Sequence, residues 1–315
     1  MLIKLNGLYY PQEYLCLDKE SFEHSLFVYL LRDGHVVKDI TKLHLFIGYH
    51  PLVIALDANT SPFSQVEIIF TQHPLPLNAL FVKKDAIASI TLNKTAELQS
   101  GDTVVNLYEG KKGTHRFVSP FHQFIINTHN ELFQKKKGNV FLHDNLYKQV
   151  QIAYSIPRTI SLVTVEQNHL YNCFPTDLHG QVNNGLYIIS LRHQGKACRQ
   201  VMTSKRILLT EVDCNHFKSV YGLGKNHMQE LKSKENFPFT DKSSKQFGLP
   251  IPSGGLAYRE FELADSLNLG IHKIMLFSIR SRVQLDSSPA TLAHIHNIYA
   301  TWRRKNGLSG NYFMR

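Results

Sequence analysis

Short apolar runs separated by turn residues fill the first 118 residues of the chain. Seven of them lie between residues 26 and 110: LFVYLL (26–31), LHLFIG (43–48), LVIALD (52–57), VEIIF (66–70), ALFVKK (79–84), ASITL (88–92) and TVVNLYEG (103–110). Turn-forming residues such as Asp33-Gly34 and Ser100-Gly101-Asp102 stand between the runs. Runs this short and this closely spaced predict antiparallel strands. Residues 1–118 are therefore predicted to form a small β-rich domain, and no catalytic motif in them indicates a role.

A helix is predicted directly after this domain. Ser119 is a typical N-cap residue, and Pro120 suits the first helical position. The apolar face of the helix is formed by Phe121, Phe124, Ile125, Leu132 and Phe133. Three lysines at 135–137 followed by Gly138 are typical of a helix C-terminus. Residues 119–150 are thus predicted to be this helix and a linker to the second half of the chain.

The second half changes from strand to helix and back between residues 160 and 212. The predicted strands are ISLVTV (160–165), NNGLYIISL (183–191) and ILLTEV (207–212), and a helix with Ala197, Cys198, Val201 and Met202 at helical spacing precedes the last of them. This order brings a loop, a strand end and a helix start to one rim. Free amides at the helix start, together with Lys196 and Arg199, suit a phosphate or another anion.

Two further segments complete the pattern. Residues 213–250 are low in apolar content and are predicted as loop and short helix, either a surface excursion or a lid. A last helix is predicted to begin at Ser288 and Pro289 and to end within residues 303–307. Its apolar stripe consists of Leu292, Ile295, Ile298, Tyr299 and Trp302.

Composition places the chain among globular proteins and leaves the partner open. With 315 residues it is long enough for two domains, and 43% hydrophobic and 19% charged residues are ordinary values. The net charge of +10 indicates either an anionic partner or an unremarkable basic surface. A nucleic acid, an anionic lipid and a phosphorylated cofactor would all meet that charge.

The cysteines and the apolar runs predict a cytoplasmic protein. Four cysteines without a C-x-x-C pair are no disulfide framework for a chain of this size, which favours a reducing compartment. The first residues lack the apolar core of a signal peptide. No run approaches the roughly 18 apolar residues of a membrane helix, so no membrane association is expected.

Common catalytic and metal-binding patterns are missing. Asp177 and His179 lack a serine in a G-x-S-x-G context, and no G-x-G-x-x-G follows a strand. His294 and His296 would point apart on the predicted helix, so they could not share a metal. We therefore predict neither a metal site nor a dedicated protein acid or base.

Two ordered stretches are similar to the flavin reductase-like, FMN-binding split-barrel proteins. In the first, Asn172-Cys173-Phe174 matches the family's Asn-x-Phe turn, LYIISL (186–191) its second strand, and residues 197–201 its helix. In the second, residues 248–279, Glu260 or Glu262 takes the acidic position and Gly270-Ile271-His272 stands for Gly-Asp-His. The resemblance covers about half of the chain. It implies a mostly β chain with a few helices, whose C-terminal half, residues 151–315, is an FMN-binding split β-barrel.

The resemblance also implies a site and a reaction. The residues expected at FMN are Asn172, Cys173, Phe174, Pro175, Thr176, Asp177, Ser190, Leu191, Arg192, Lys196, Arg199 and His272. Backbone amides of residues 174–177 would bind the flavin ring, Thr176 and Ser190 would assist, and the three basic side chains would hold the phosphate. The implied activity is that of an NAD(P)H-dependent flavin reductase passing electrons to a small-molecule or protein acceptor. A homodimer with each flavin near the subunit interface is implied as well.

Departures from the family leave alternatives open. Asn183-Asn184-Gly185 replaces a Pro-Pro pair, the loop PTDLHGQV is longer, and Ala197 stands where a phosphate-contacting hydroxyl is frequent. Flavin binding is therefore retained with altered contacts or lost. The alternatives are an FMN-binding electron carrier or sensor without turnover, and a basic nucleic-acid-binding protein, which is the less favoured because no known binding motif occurs. No internal repeat is evident, although both halves are strand-rich, and a duplicated barrel stays a further alternative.

Overall fold

The computed structural model describes residues 4–5, 8–9, 14–18, 26–133, 140–286, 290–308 and 310–314. The predicted helix end at 135–138 and the helix start at Ser288 and Pro289 lie outside these residues. The described part of the chain is mostly β-strand with five α-helices, and the prediction of a mostly β fold is confirmed.

The first part of the chain supplies ten strands and two helices. The strands are β1 (Lys4–Leu5), β2 (Leu8–Tyr9), β3 (Tyr14–Asp18), β4 (Phe27–Arg32), β5 (His35–Asp39), β6 (Leu45–Tyr49), β7 (Leu52–Asp57), β8 (Gln65–Thr71), β9 (Ala86–Ser100) and β10 (Thr103–His115). A 3₁₀ turn at Lys83–Asp85 precedes β9, and α1 (Pro120–Phe133) and α2 (Asp144–Ala153) follow β10.

The second part alternates more between strand and helix. Its elements are β11 (Arg158–Thr159), β12 (Ser161–Gln167), β13 (Leu170–Thr176), β14 (His179–Gln181), β15 (Leu186–Arg192), α3 (Lys196–Ser204), β16 (Arg206–Val212), α4 (Phe217–Gly222), β17 (Phe239–Ser243), β18 (Pro250–Pro252), β19 (Gly255–Leu269), β20 (His272–Gln284), β21 (Leu292–His296), α5 (Asn297–Lys305) and β22 (Tyr312–Met314). Short 3₁₀ helices lie at Cys214–His216, Leu223–Met228 and Lys234–Asn236.

Two open, antiparallel, seven-stranded sheets dominate the fold, and they share one strand order. The first sheet runs β5-β4-β8-β9-β10-β7-β6, and the second runs β13-β12-β16-β19-β20-β15-β14. When the strands of each sheet are counted along the chain, the two orders are identical. The rest of the strands form a four-stranded sheet, β11-β21-β3-β22, and two small two-stranded sheets.

The long central hairpins of the two sheets also agree residue by residue. The turn between β9 and β10 contains Gly101, and the turn between β19 and β20 contains Gly270, both at positive φ. Each hairpin has one unpaired residue on its first strand, Thr95 and Ala264, the same number of residues before the glycine. A second bulge likewise occurs at matching places on β10 and β20. Each β-bulge is a one-residue insertion whose position is independent of the strand order. Agreement in the positions of two bulges is therefore specific evidence of duplication.

Each sheet covers its own apolar core. The second sheet packs on α3, whose Ala197, Cys198 and Val201 are buried against strand residues such as Phe261 and Phe277. The first sheet has no such helix between β7 and β8. Its core is instead filled from elsewhere in the chain, by α2 and by α5 with Trp302.

The end of the chain differs from the prediction. Residues 292–296, predicted as helix, form strand β21, which is paired with β11 on one side and β3 on the other. All five residues are buried, so the strand shows no alternation of apolar and polar positions. The spacing of Leu292 and Ile295 then fits a helix as well as a strand. The helix begins only at Asn297, where the His296 Nδ1 accepts a bond from the amide of Ile298 at 3.3 Å.

The two sheets pack on each other through a third apolar cluster, called the seam below. The first sheet contributes Ile47, Val53, Ala55, Leu98, Val105 and Leu107, and the second contributes Leu186, Ile188, Ile274 and Leu276. These residues come from the strands that correspond in the two sheets, chiefly β7 and β10 with β15 and β20. The seam thus joins equivalent faces of equivalent sheets.

Helix α1 begins where it was predicted, at Pro120, but its apolar face points outward. Phe121, Phe124 and Leu132 are each 68% exposed, whereas the amide side chains of Gln123 and Asn130 are buried. The inward bonds of those amides, such as Asn130 Nδ2 to the Leu142 carbonyl at 3.1 Å, hold the helix in this orientation.

Candidate ligand site at the seam

Two strands of the second sheet end side by side at the edge of the seam. Arg192 is the last residue of β15, and it is paired with His272, the first residue of β20. One step inward, the Ser190 hydroxyl lies 3.2 Å from the His272 Nδ1. Three of the predicted site residues are therefore brought together by the sheet register.

The His272 side chain is 1% exposed, and its ring is neutral at ordinary pH. Burial, and after it the charge of Arg192, lowers the pKa of His272 to about 3. Its Nε2 atom has no hydrogen-bond partner among the described residues. A buried ring nitrogen without a partner is costly, so this atom is a natural contact for a polar ligand or water.

Tyr49 reaches this place from the first sheet, at the end of β6. Its hydroxyl accepts a 2.6 Å bond from Arg192 Nε, and its ring centre lies 4.6 Å from that of His272, edge-on. Burial raises the pKa of Tyr49, against the opposing effect of Arg192. Nothing in the local sequence indicates Tyr49, because it contacts Arg192 across a separation of 143 residues.

The turn after Tyr49 packs closely on the hairpin of the second sheet. The His50 carbonyl accepts a 3.1 Å bond from the amide of Ile271. A side chain at Gly270 would collide with the backbone of His50, and its φ of 57° is one that glycine adopts freely. The glycine is required here by both the turn and the approach of the other sheet.

Helix α3 begins beside Arg192 and carries two more cations. Its N-cap, Gly195, supplies no side chain to the free amides of the first turn. Lys196 Nζ lies 2.7 Å from Glu230, and Arg199 is exposed. We define the Arg192 corner as Ser190, Arg192, Lys196, Arg199 and His272 of the second sheet and its helix, together with Tyr49 of the first sheet.

Residues 172–176 of the predicted site lie on β13, a strand rather than a turn, and the outer edge of this strand is covered. Residues 223–232, called the cover segment below, supply the partners. Asn226 Nδ2 donates to the Cys173 carbonyl at 2.8 Å, and His227 Nε2 donates to the Pro175 carbonyl at 2.7 Å. Tyr171 and Lys232 exchange two backbone bonds of 2.7 and 2.8 Å. The chain itself therefore covers the edge of the strand that the sequence analysis assigned to a flavin ring.

Side chains of β13 take part in the same packing. The Asn172 amide donates to Gln200 Oε1 at 2.7 Å and to the Asn226 carbonyl at 3.0 Å. The Phe174 ring is fully buried, 4.8 Å from the ring of His227. Burial raises the pKa of the Cys173 thiol to about 12, so this cysteine is a buried packing residue without a reactive thiolate.

Three predicted residues remain. Thr176 is buried and pairs with Ser161, and Leu191 points into the core of the second sheet. Asp177 lies at the end of β13, where its Oδ2 accepts bonds from the Tyr154 hydroxyl at 2.9 Å and from His294 Nδ1 at 2.7 Å. All three contribute to the architecture around the corner.

Asp177 is held in its charged form. Burial alone would raise its pKa, but the bond and charge of His294, the charge of Arg158 and the Tyr154 hydroxyl outweigh it and hold the pKa well below the usual range. The Asp177 carbonyl also accepts a 3.0 Å bond from Arg158 Nε. This network ties the end of α2, β11, β13 and β21 together, and sequence reasoning missed every partner of Asp177 in it.

Among the described residues, no group of three or more His, Cys, Asp or Glu side chains is placed to hold a metal ion. No helix in the described ranges is long and apolar enough to cross a membrane.

Comparisons with known proteins were made at the level of sequence and of structure. No family model and no curated protein matches the chain. Among solved structures it is similar to an FMN-binding protein from Thermus thermophilus with bound p-hydroxybenzaldehyde: identity 17%, TM-score 0.38, covering 49% of this chain and 81% of that one. It is also similar to the NADH:FAD oxidoreductase of Streptomyces globisporus C-1027, with 13% identity, a TM-score of 0.41, and 48% and 88% of the two chains covered.

A third structure is the flavin reductase component of a bacterial two-component tryptophan halogenase, with 12% identity and a TM-score of 0.42. The match covers 52% of this chain and 96% of that one. All three are of the kind that the sequence resemblance names. Because their TM-scores lie below 0.5, these likenesses by themselves decide neither the ligand nor the activity of this chain.

Proposed function

We propose that this protein binds FMN at the Arg192 corner and acts as a flavin-dependent oxidoreductase. The observation that carries the proposal is that Arg192, Lys196 and Arg199 lie just before or within the first turns of α3, whose start no side chain caps, and that Arg192 is bonded to Tyr49. A phosphate dianion is matched by charge-assisted donors and by free helix amides. The aromatic ring next to them suits the flat, apolar part of such a ligand.

The residues fit the two ends of FMN differently. At the phosphate end Glu230 opposes the cations, and it pairs with Lys196. The uncommitted Nε2 of His272 adds a polar contact nearby. At the ring end, the contacts expected on residues 174–177 would require the cover segment to leave the edge of β13, where Asn226 and His227 are bonded.

The cofactor would supply the redox chemistry, and the chain would hold the cofactor in position. When bound, FMN would accept a hydride from NADH or NADPH and release the electrons to an acceptor. Arg192, Lys196 and Arg199 would fix the phosphate, and Tyr49 would border the ligand from the first sheet. His272 is neutral and Asp177 is committed to His294 and Tyr154, so neither is assigned a proton-transfer step.

The test is reconstitution with FMN followed by removal of unbound flavin. We expect a visible spectrum with retained flavin bands, and their bleaching by NADH or NADPH under argon. A protein that retains no flavin would refute the binding proposal. Retained flavin that neither nicotinamide bleaches would favour the alternative, an FMN-binding electron carrier or sensor.

A further inference from the structure

We infer that this chain is an internally duplicated split barrel in which the first sheet takes the place of a second subunit, and that only one of the two resulting corners keeps the groups for an anionic ligand. The identity of that ligand as FMN rests on the proposed function. The pairing of the two halves rests on the fold alone.

The seam has the geometry of a two-fold axis. Leu45, Ala55 and Leu107 are paired in one row across β6, β7 and β10. Gly180, Ile188 and Leu276 form the corresponding row across β14, β15 and β20. Gly180 and Leu45, which hold equivalent places in the two rows, touch each other. Contact between a residue and its own equivalent occurs at the axis of an isologous interface.

The residues at this axis also specify which halves pair. A Cβ atom at Gly180 would overlap the Cδ2 of Leu45 and lie 3.4 Å from its Cγ, so the leucine fills the space that the glycine leaves. If two second sheets paired, glycine would face glycine and leave a void. If two first sheets paired, leucine would face leucine and collide. Only the pairing of a first with a second sheet gives close packing.

The same two-fold symmetry produces two corners with equivalent contacts. In the Arg192 corner, Tyr49 of the first sheet contacts His272 of the second. At the opposite corner, Asn183 of the second sheet contacts Thr103 of the first, with Nδ2 3.4 Å from Oγ1. Thr103 is the first residue of β10, and His272 is the equivalent first residue of β20. Asn183 lies in the turn before β15, and Tyr49 has the equivalent place before β7.

The opposite corner, called the Asn59 corner, lacks the equivalents of Ser190, Arg192 and helix α3. The place of Ser190 is taken by Asp57, as its pairing with Val105 shows. The place of Arg192 falls on Asn59, whose amide is bonded to the Asp57 carboxylate at 2.8 Å. No helix follows β7, so there is no free first turn. The Asp57 carboxylate would repel a phosphate, and no helix start is present to offset this repulsion.

A cysteine pair tests the pairing of halves in the full chain. With Leu45→Cys and Gly180→Cys together, mild oxidation should consume two thiols and leave a single-chain band on a non-reducing gel. The unmodified chain, in which Cys173, Cys198 and Cys214 are buried, and each single variant serve as controls. A disulfide that links two chains, or no disulfide at all, would overturn the intrachain seam, because bridging needs Cβ atoms about 3.5–4.5 Å apart.

The number of FMN molecules bound tests the second part. Equilibrium dialysis should give one FMN per chain, together with the mass of one chain by light scattering. Two per chain would overturn the inactive Asn59 corner, and a site found only in a two-chain assembly would overturn the role of the first sheet. No binding would refute the proposed function and the single-corner statement, whereas the cysteine result would still decide the pairing.

Discussion

Replacing Gly180 by alanine adds one methyl group at the axis of the seam, where Leu45 fills the available space. The new Cβ would overlap Leu45 Cδ2 and lie 3.4 and 3.5 Å from its Cγ and Cδ1. Carbon atoms favour separations of about 3.5–4.0 Å, so the leucine or the strand must move. Overpacking of this kind costs about 1–3 kcal/mol. Since alanine is favoured over glycine in a strand by about 0.5–1 kcal/mol, the net loss of stability should be about 0–2.5 kcal/mol.

A double-mutant cycle separates this contact from the backbone effect. In the Leu45→Ala background the methyl group has room, so Gly180→Ala should be neutral or stabilising, with a coupling energy of about 1 kcal/mol or more. Urea midpoints of the four proteins give these values. Gly224→Ala is the matched control, because no atom lies within 4 Å of its added Cβ. Equal effects of Gly180→Ala in both backgrounds would refute the seam contact.

Three further expectations concern single side chains. Because burial raises the pKa of Cys173 to about 12, a disulfide reagent at pH 8 should label this thiol only as fast as the chain opens; immediate labelling in the native protein would contradict its burial. Burial lowers the pKa of His272 to about 3 from an ordinary 6.5, so the folded chain holds this ring in its neutral form. The contribution of His272 to the free energy of unfolding is therefore full above pH 6.5 and is lost as the pH falls towards 3. In urea titrations His272→Gln should flatten that decline by up to about 1.4 kcal/mol per pH unit, whereas the exposed His35→Gln should not. Phe121→Ser and Phe124→Ser should change the free energy of unfolding by less than about 0.5 kcal/mol, since both rings are largely exposed; a larger loss would show that α1 packs differently.

Local patterns predicted the elements around the corner well. The apolar, β-branched runs before Glu166 and before Arg192 are β12 and β15, and the helix predicted from Ala197 and Val201 is α3. Strands β12 and β15 are buried on both faces, and their continuous apolar, β-branched runs bounded by polar residues reveal them. Helix α3 has one buried face, so its helical spacing is visible. Strand β21 is equally buried, but the apolar stripe that begins at Leu292 continues into α5 at helical spacing, so the helix was predicted to start too early.

Long-range features could not be predicted in this way. Tyr49 joins the corner only through the packing of two sheets, and its neighbours in sequence resemble any strand end. The duplication is hidden because no single shift aligns the halves. The shift from Gly101 to Gly270 superposes the hairpins, but the shift from Ala55 to Ile188 is shorter, since the second half also carries α3 and the long segment before β19.

The cover segment explains the remaining difference between expectation and structure. The sequence resemblance assigned the edge of β13 to a ligand, whereas the Cys173 and Pro175 carbonyls are bonded to Asn226 and His227. Lysines and the scarcity of apolar residues made residues 213–250 read as a surface excursion. Its bonds to a strand edge come from the side chains of Asn226 and His227 and from the backbone of Lys232, and none of these belongs to a motif.

The affinity for FMN in two arginine variants tests the central claim most directly. Arg192→Gln removes a cation of the Arg192 corner, and Arg206→Gln removes an exposed one just past the opposite end of α3. A charge-assisted hydrogen bond contributes about 1.5–3 kcal/mol, so fluorescence titration should show binding weakened by about tenfold or more in Arg192→Gln and unchanged in Arg206→Gln. Equal affinity in both variants and the unmodified protein would contradict a flavin phosphate site at this corner.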